Sequence, residues 1–179
     1  MGMDVEGINP VVVSKEPKRP ADLFDESVVS KMECDKYFED LDEYKRINPG
    51  VYFRANVWSW RPLMEAMHES GACYELDTKQ WEAMEWNDGA GAPDQATADR
   101  MAAKLRVWLD EATFDEDGSW TPQSLSNDAT MQVTESGRFI NKEEADLSGV
   151  KTRSPYCVYK ARIEDWIQFL SQCGGFKVW

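Results

Sequence analysis

The sequence predicts an α+β fold, mainly helical, in a single domain with a small sheet of short strands. The chain has 179 residues, which suits one hydrophobic core and is short for two ordinary domains. Apolar residues make up 42% of the chain, so it has ample material to bury. Segments with helical three- and four-residue spacing alternate with short extended runs bounded by glycine and proline.

The N-terminal quarter predicts one extended segment and one surface helix. Pro10 and Pro17 flank the apolar run 11–13, a pattern typical of an extended segment or an edge strand between turns. Charged residues dominate 22–46, and a ragged apolar stripe there indicates a surface helix. Within the domain 1–179 we expect 22–46 and the polar, acidic stretch 113–155 to be peripheral.

Two helices are predicted in the middle of the chain. The first covers about 61–70, because Pro62 is tolerated in a first helical turn and Gly71 supplies a left-handed stop. Asp77 followed three residues later by Gln80 resembles a capping box, which opens a short helix that carries Trp81. That helix ends at the turn 87–89.

Two longer amphipathic helices and several strands complete the prediction. Apolar residues recur at helical spacing over about 94–112 and again over 160–173, where Gly174 and Gly175 end the pattern. The short strands are expected in the N-terminal segment, at 51–57, at 130–140 around a Ser136–Gly137 turn, and in the apolar tail 176–179.

Charge and composition exclude several classes of protein. A net charge of −13 argues against direct binding of a nucleic-acid backbone, which requires clustered Lys and Arg, although it suits an acidic mimic of nucleic acid. The four cysteines contain no C-x-x-C pair, so we expect no metal site, and no motif indicates a cofactor. Without a secretory leader or a long apolar run, the sequence predicts a cytoplasmic protein that does not enter the membrane.

The strongest candidate for a binding site is the segment 53–63. Guanidinium planes and indole faces together can stack a base or grip an anion, so this segment predicts a ligand-binding edge. Its candidate residues are Arg54, Asn56, Trp58, Trp60 and Arg61. The alternative is structural, since arginines also cover core tryptophans simply to shield them from water.

A second candidate is the turn Asn87-Asp88-Gly89, which precedes a predicted helix. Flexible backbone ahead of a helix N-terminus can bind an anion through free N–H groups, but a structural turn is the alternative. A metal site at Asp88, Asp94 and Asp99 has weak support. The lone histidine, His68, is expected to be a surface or packed helix residue rather than a catalytic base.

Four sequence islands together resemble an uncharacterised family of small proteins encoded in phage and bacterial genomes. The islands read MGMDVEGINP at the N-terminus, FRANVWSWRPL at 53–63, NDGAG at 87–91 and FLSQCGGF at 169–176. The resemblance implies a phage or bacterial accessory or counter-defence setting and brings no activity with it. The chain departs from the family pattern at Ala55, where a second asparagine is usual, at Ala92, where leucine is usual, and at 85–86, where a histidine is frequent.

The sequence leaves several functions open. The leading hypothesis is a non-enzymatic binding protein that uses the two candidate segments to hold a small anionic or nucleotide-like ligand, or a protein partner. The alternatives are an acidic mimic that inhibits a defence enzyme, a hydrolase or transferase using Asp88, and a structural role. An oligomer also stays open, with the apolar C-terminal tail as its contact.

Overall fold

The computed structural model describes residues 2–21, 23, 29–86, 88–126 and 130–179. The described helices are α1 (Lys31–Ile47), α2 (Val57–Glu69), α3 (Thr78–Glu85), α4 (Gln95–Glu111), α5 (Gln123–Ser126), α6 (Lys142–Ser148) and α7 (Lys160–Leu170). The described strands are β1 (Gly2–Gly7), β2 (Tyr52–Asn56), β3 (Ser119–Trp120), β4 (Met131–Thr134), β5 (Phe139–Asn141), β6 (Thr152–Arg153), β7 (Val158–Tyr159) and β8 (Phe176–Val178). The predicted α+β, mainly helical fold with small antiparallel sheets is therefore confirmed.

The central sheet has β1 in the middle, between β2 and β8, and both pairings are antiparallel. Val5 lies opposite Phe53 on one side and Val178 on the other, and all three are buried. Helices α2, α4 and α7 pack against one another, and α2 and α7 also contact the sheet. The main core lies between this sheet and these helices.

An aromatic cluster fills that core, with Trp166 at its centre. The Trp166 ring stacks on Phe169 at 5.1 Å between centroids and meets Phe53, Trp60 and Phe176 at 4.8, 5.8 and 5.3 Å. Its indole N–H donates to the sulfur of Met67 at 3.2 Å, so the polar atom is satisfied while the ring is fully buried.

Helix α2 begins at Val57, earlier than the predicted start at 61. The side chain of Asn56 accepts a hydrogen bond from the Ser59 amide at 2.9 Å, which is the geometry of an N-cap. Pro62 therefore lies inside the helix and not in its first turn. It is tolerated there because the lost backbone hydrogen bond falls near the helix start, while Pro62 itself is buried against the core.

The N-terminal strand also differs from the prediction. Residues 2–7 form β1, whereas 11–13 lie outside any strand and are exposed. Two hydrogen bonds hold this run: the Val11 amide donates to the Gln172 carbonyl, and the Val13 amide donates to the Asn48 side chain. The predicted surface helix at 22–46 is observed at 31–47, and positions 22 and 24–28 lie outside the described residues.

The stretch 113–155 contains strands and short helices. Strands β5, β4 and β6 form a small sheet, and the Ser136–Gly137 turn joins β4 to β5 as predicted, with Gly137 at a φ of 81°. Ile140 and Ala145 are buried here, outside the main core. Across the described part of the chain, no helix is both long and apolar enough to cross a membrane.

Candidate functional site

A groove of about 790 Å³ opens between α2 and α3, with further contributions from β1 and α5. We call it the α2–α3 groove. Its apolar lining consists of Met3, Val57, Trp60, Met64, Trp81, Trp86 and Leu125. Its polar lining consists of Arg61, Glu65, His68 and Glu85. A cleft of this size with an aromatic lining and a few polar groups is typical of small-molecule sites.

Helical spacing explains how α2 builds one wall of the groove. The lining positions 57, 60, 61, 64, 65 and 68 recur every three or four residues and therefore share one face of the helix. On α3, positions 81 and 85 are one turn apart. The Asp77–Gln80 capping box fixes where α3 begins, as the sequence predicts.

The floor and the rim of the groove carry two very different tryptophans. Trp60 is 1% exposed, packs edge-on against Trp166, and has an indole N–H with no acceptor among the described residues. A buried donor without a partner costs about 1–3 kcal/mol. Trp86, by contrast, is 76% exposed although it is a large aromatic side chain. The indole N–H of Trp60 is buried, so only the ring of Trp86 offers a large accessible aromatic surface at the groove.

Two carboxylates influence each other across the groove. Partial desolvation raises the pKa of Glu85 above its ordinary value, and the negative charges of Glu65 on α2 and Glu82 on α3 raise it further. His68 opposes this rise. His68 is exposed and lies 5.8 Å from the ring of Tyr74, between centroids. Holding a charge on Glu85 is thus unfavourable in the folded protein.

We expect the substitution Glu85→Gln to stabilise the fold above the raised pKa of Glu85. The folded state binds this proton more tightly than the unfolded chain, so the charged carboxylate costs stability at neutral pH. The gain should shrink as the pH falls through that pKa and vanish below the pKa of the unfolded chain, where both states are protonated. Urea unfolding across a pH series measures it, with the exposed Glu116→Gln as a charge-matched control. A gain independent of pH would contradict this account.

The predicted patch at 53–63 is divided by the structure. Arg54, on β2, is exposed and lies 3.6 Å from the Asp4 carboxylate, and Asn56 is the N-cap of α2. Trp58 packs against Tyr156 at 4.9 Å between ring centroids. Trp60 and Arg61 line the α2–α3 groove, whereas Arg54, Asn56 and Trp58 are not among its lining residues.

Arg61 has a defined position at the groove. Its guanidinium donates to the Tyr156 hydroxyl at 3.2 Å and lies over the same ring at 5.4 Å from the centroid. Tyr156 in turn packs against Trp58. The arginine is therefore partly occupied by an aromatic partner, which is a half-buried tyrosine and not a core tryptophan.

The turn at 87–91 packs against the C-terminal strand. The Gly89 amide donates to the Val178 carbonyl at 2.9 Å, and Gly89 has a φ of 70°. Asp88 is exposed and does not line the groove, while Asn87 lies outside the described residues. The N-terminus of α4 is capped by Asp94, which accepts from the Thr97 amide at 2.8 Å. Its own carboxylate thus occupies the place expected for an anion.

Nine of the eleven residues that line the groove escaped the sequence prediction, which named only Trp60 and Arg61 among them. Glu65 and Glu85 stand among 33 acidic residues, so neither is conspicuous. The sequence does contain one signal for Trp86. Positions 81 and 86 are five residues apart, so both tryptophans cannot belong to one narrow apolar stripe of a helix. Across the described ranges, no group of three or more His, Cys, Asp or Glu residues could hold a metal ion, and that includes the acidic residues around Asp88.

Comparison of this chain with protein-family models, curated proteins and solved structures finds no match. Function must therefore be argued from the geometry of the α2–α3 groove.

Proposed function

We propose that this protein is a non-enzymatic binding protein whose small-molecule ligand lies in the α2–α3 groove. The observation that carries the proposal is the pairing of an exposed rim tryptophan, Trp86, with a floor tryptophan, Trp60, whose indole N–H lacks an acceptor among the described residues. A ligand would cover the exposed ring of Trp86 and lie beside the part of Trp60 that lines the groove. Large aromatic side chains of this kind dominate binding energy.

Binding is proposed over catalysis because of where the candidate catalytic residue lies. Asp88, the residue on which an enzymatic reading depends, lies outside this lining. The phage accessory or counter-defence setting and the cytoplasmic location suggested by the sequence remain part of the proposal.

The acidic-mimic alternative receives less support from α1. Acidic and basic residues are interspersed along this helix, and Lys36 and Arg46 pair with Asp40 and Glu43 at 3.1 and 2.6 Å. A nucleic-acid mimic requires a continuous acidic ridge, and local pairing of acidic with basic side chains interrupts such a ridge. We therefore base the experiment on the groove.

A thermal-shift screen of anionic, neutral and cationic aromatic compounds, combined with native mass spectrometry of the purified protein, tests the proposal. We expect at least one class to bind, and Trp86→Ala to weaken that binding about tenfold, as truncation of a central aromatic contact does. Trp179→Ala is the matched control, because Trp179 is half exposed and lies outside the groove. No bound species and no shift with any class would refute the proposal, as would equal losses in the two variants.

A further inference from the structure

Of the charged side chains that face the α2–α3 groove, the arginine has a partner within the protein and the two glutamates have no ion-pair partner among the described residues. Glu65 and Glu85 form no ion pair within the described residues. Arg61, the cationic side chain of the lining, already contacts the hydroxyl and the ring of Tyr156. The groove therefore presents two unpaired carboxylates beside an arginine that has a partner of its own.

Aromatic rings stand next to these carboxylates. Trp81 and Trp86 lie within five residues of each other on and just after α3, with Glu85 between them, and Glu65 faces the groove from α2. Indole faces attract cations through their quadrupole, and most strongly where water is excluded. A carboxylate and an indole in one cleft thus offer two kinds of attraction to the same positive charge.

The other ligand charges fit the groove less well. An anion would add a third negative charge beside Glu65 and Glu85, and like charges at close range are repelled. A neutral apolar ligand would bury both carboxylates without neutralising either of them, which costs solvation energy. A cation would offset the repulsion that Glu65 and Glu82 exert on the charged Glu85 carboxylate.

We propose that the α2–α3 groove selects an organic cation, a protonated amine or quaternary ammonium group carried on an aromatic or apolar body. This inference rests on the proposed function and names the ligand class for the same site. The ammonium lies between the carboxylates of Glu65 and Glu85 and the rings of Trp81 and Trp86.

Three probes of nearly equal shape test the charge selectivity. They are (4-hydroxyphenyl)trimethylammonium, its neutral isostere 4-tert-butylphenol, and 4-hydroxyphenylphosphonate as the anion, titrated by isothermal calorimetry into the full-length protein. We expect the cation to bind at least about tenfold more tightly than the neutral isostere, because the two carboxylates and the rings of Trp81 and Trp86 all attract its charge. The double variant Glu65→Gln/Glu85→Gln should remove the contribution of the carboxylates and leave a preference of about two- to fivefold from the indole rings.

The outcomes separate this inference from the proposed function. Equal or tighter binding of the neutral or anionic probe in the groove, lost in Trp86→Ala, overturns the cation inference and leaves the binding proposal standing. Binding of none of the three probes at millimolar concentration overturns the inference, while the wider screen still decides the proposed function. An undiminished cation preference in the double variant, with its fold verified by circular dichroism, also overturns the inference. The pair Glu116→Gln/Glu143→Gln, two exposed carboxylates outside the groove, controls for net charge.

Discussion

Replacing Trp166 with alanine is expected to lower the free energy of unfolding by about 3–5 kcal/mol. The Trp166 ring is fully buried and meets Phe53, Trp60, Phe169 and Phe176, so its removal leaves a cavity that the surrounding rings cannot fill. The sulfur of Met67 would also lose its donor. Urea denaturation followed by circular dichroism measures the loss.

Trp86→Ala is the control for that experiment, because it removes the same side chain from an exposed position. A surface substitution of this kind is expected to change stability by no more than about 0.5 kcal/mol. The pair therefore separates a tryptophan that holds the fold from one that we assign to binding. Comparable losses for Trp166→Ala and Trp86→Ala would show that the rim residue also supports the core.

The second large effect is expected at Gly174, where alanine should destabilise the protein by about 1–3 kcal/mol more than alanine at Gly118. Both glycines have positive φ angles, 66° and 78°, so the backbone strain of an added side chain is similar. A Cβ at Gly174 would clash with the backbone of Asn9, whereas one at Gly118 would meet nothing within 4 Å.

The difference between these two variants isolates the close approach of two chain segments. Urea midpoints and slopes for the wild type, Gly174→Ala and Gly118→Ala provide the measurement. Equal losses of unfolding free energy in the two variants would mean that backbone strain at positive φ accounts for both. The backbone of Asn9 would then move aside for a Cβ at position 174 without a measurable loss of stability.

The helices could be predicted because their signals are local. The capping box at Asp77 and Gln80 and the apolar stripe of α4 depend only on residues a few positions apart, and both are confirmed. The start of α2 was missed because two local signals competed. Pro62 indicated a first turn, but the cap formed by Asn56 starts the helix at Val57, five residues before the proline.

The site was harder to predict because it depends on contacts between distant segments. The burial of each tryptophan depends on how α2, α3 and the sheet pack together. No local sequence pattern predicts that burial. The sequence places Trp58 and Trp60 on one ligand-binding edge, but the structure separates them: Trp60 lies against Trp166 and lines the groove, whereas Trp58 packs against Tyr156. Trp108, which continues the apolar stripe of α4, is only partly buried against the core.

The glycine-containing islands have a structural explanation. Gly91 approaches the Phe176 backbone, Gly174 approaches Asn9, and Gly175 approaches the Ala92 carbonyl. Three of the sequence islands thus meet where the 87–92 turn, the end of β1 and the C-terminal strand come together. Glycine there permits close backbone contact, and the anion-binding role considered for the 87–91 turn is not needed to account for it.

The middle position of β1 links two distant parts of the chain. One partner of residues 2–7 in the sheet is the strand 176–178, which is synthesised more than 160 residues later. The three-stranded sheet therefore cannot close before 176–178 is available, and one edge of β1 lacks its partner strand until then. A contact of such large sequence separation is expected to form late in folding.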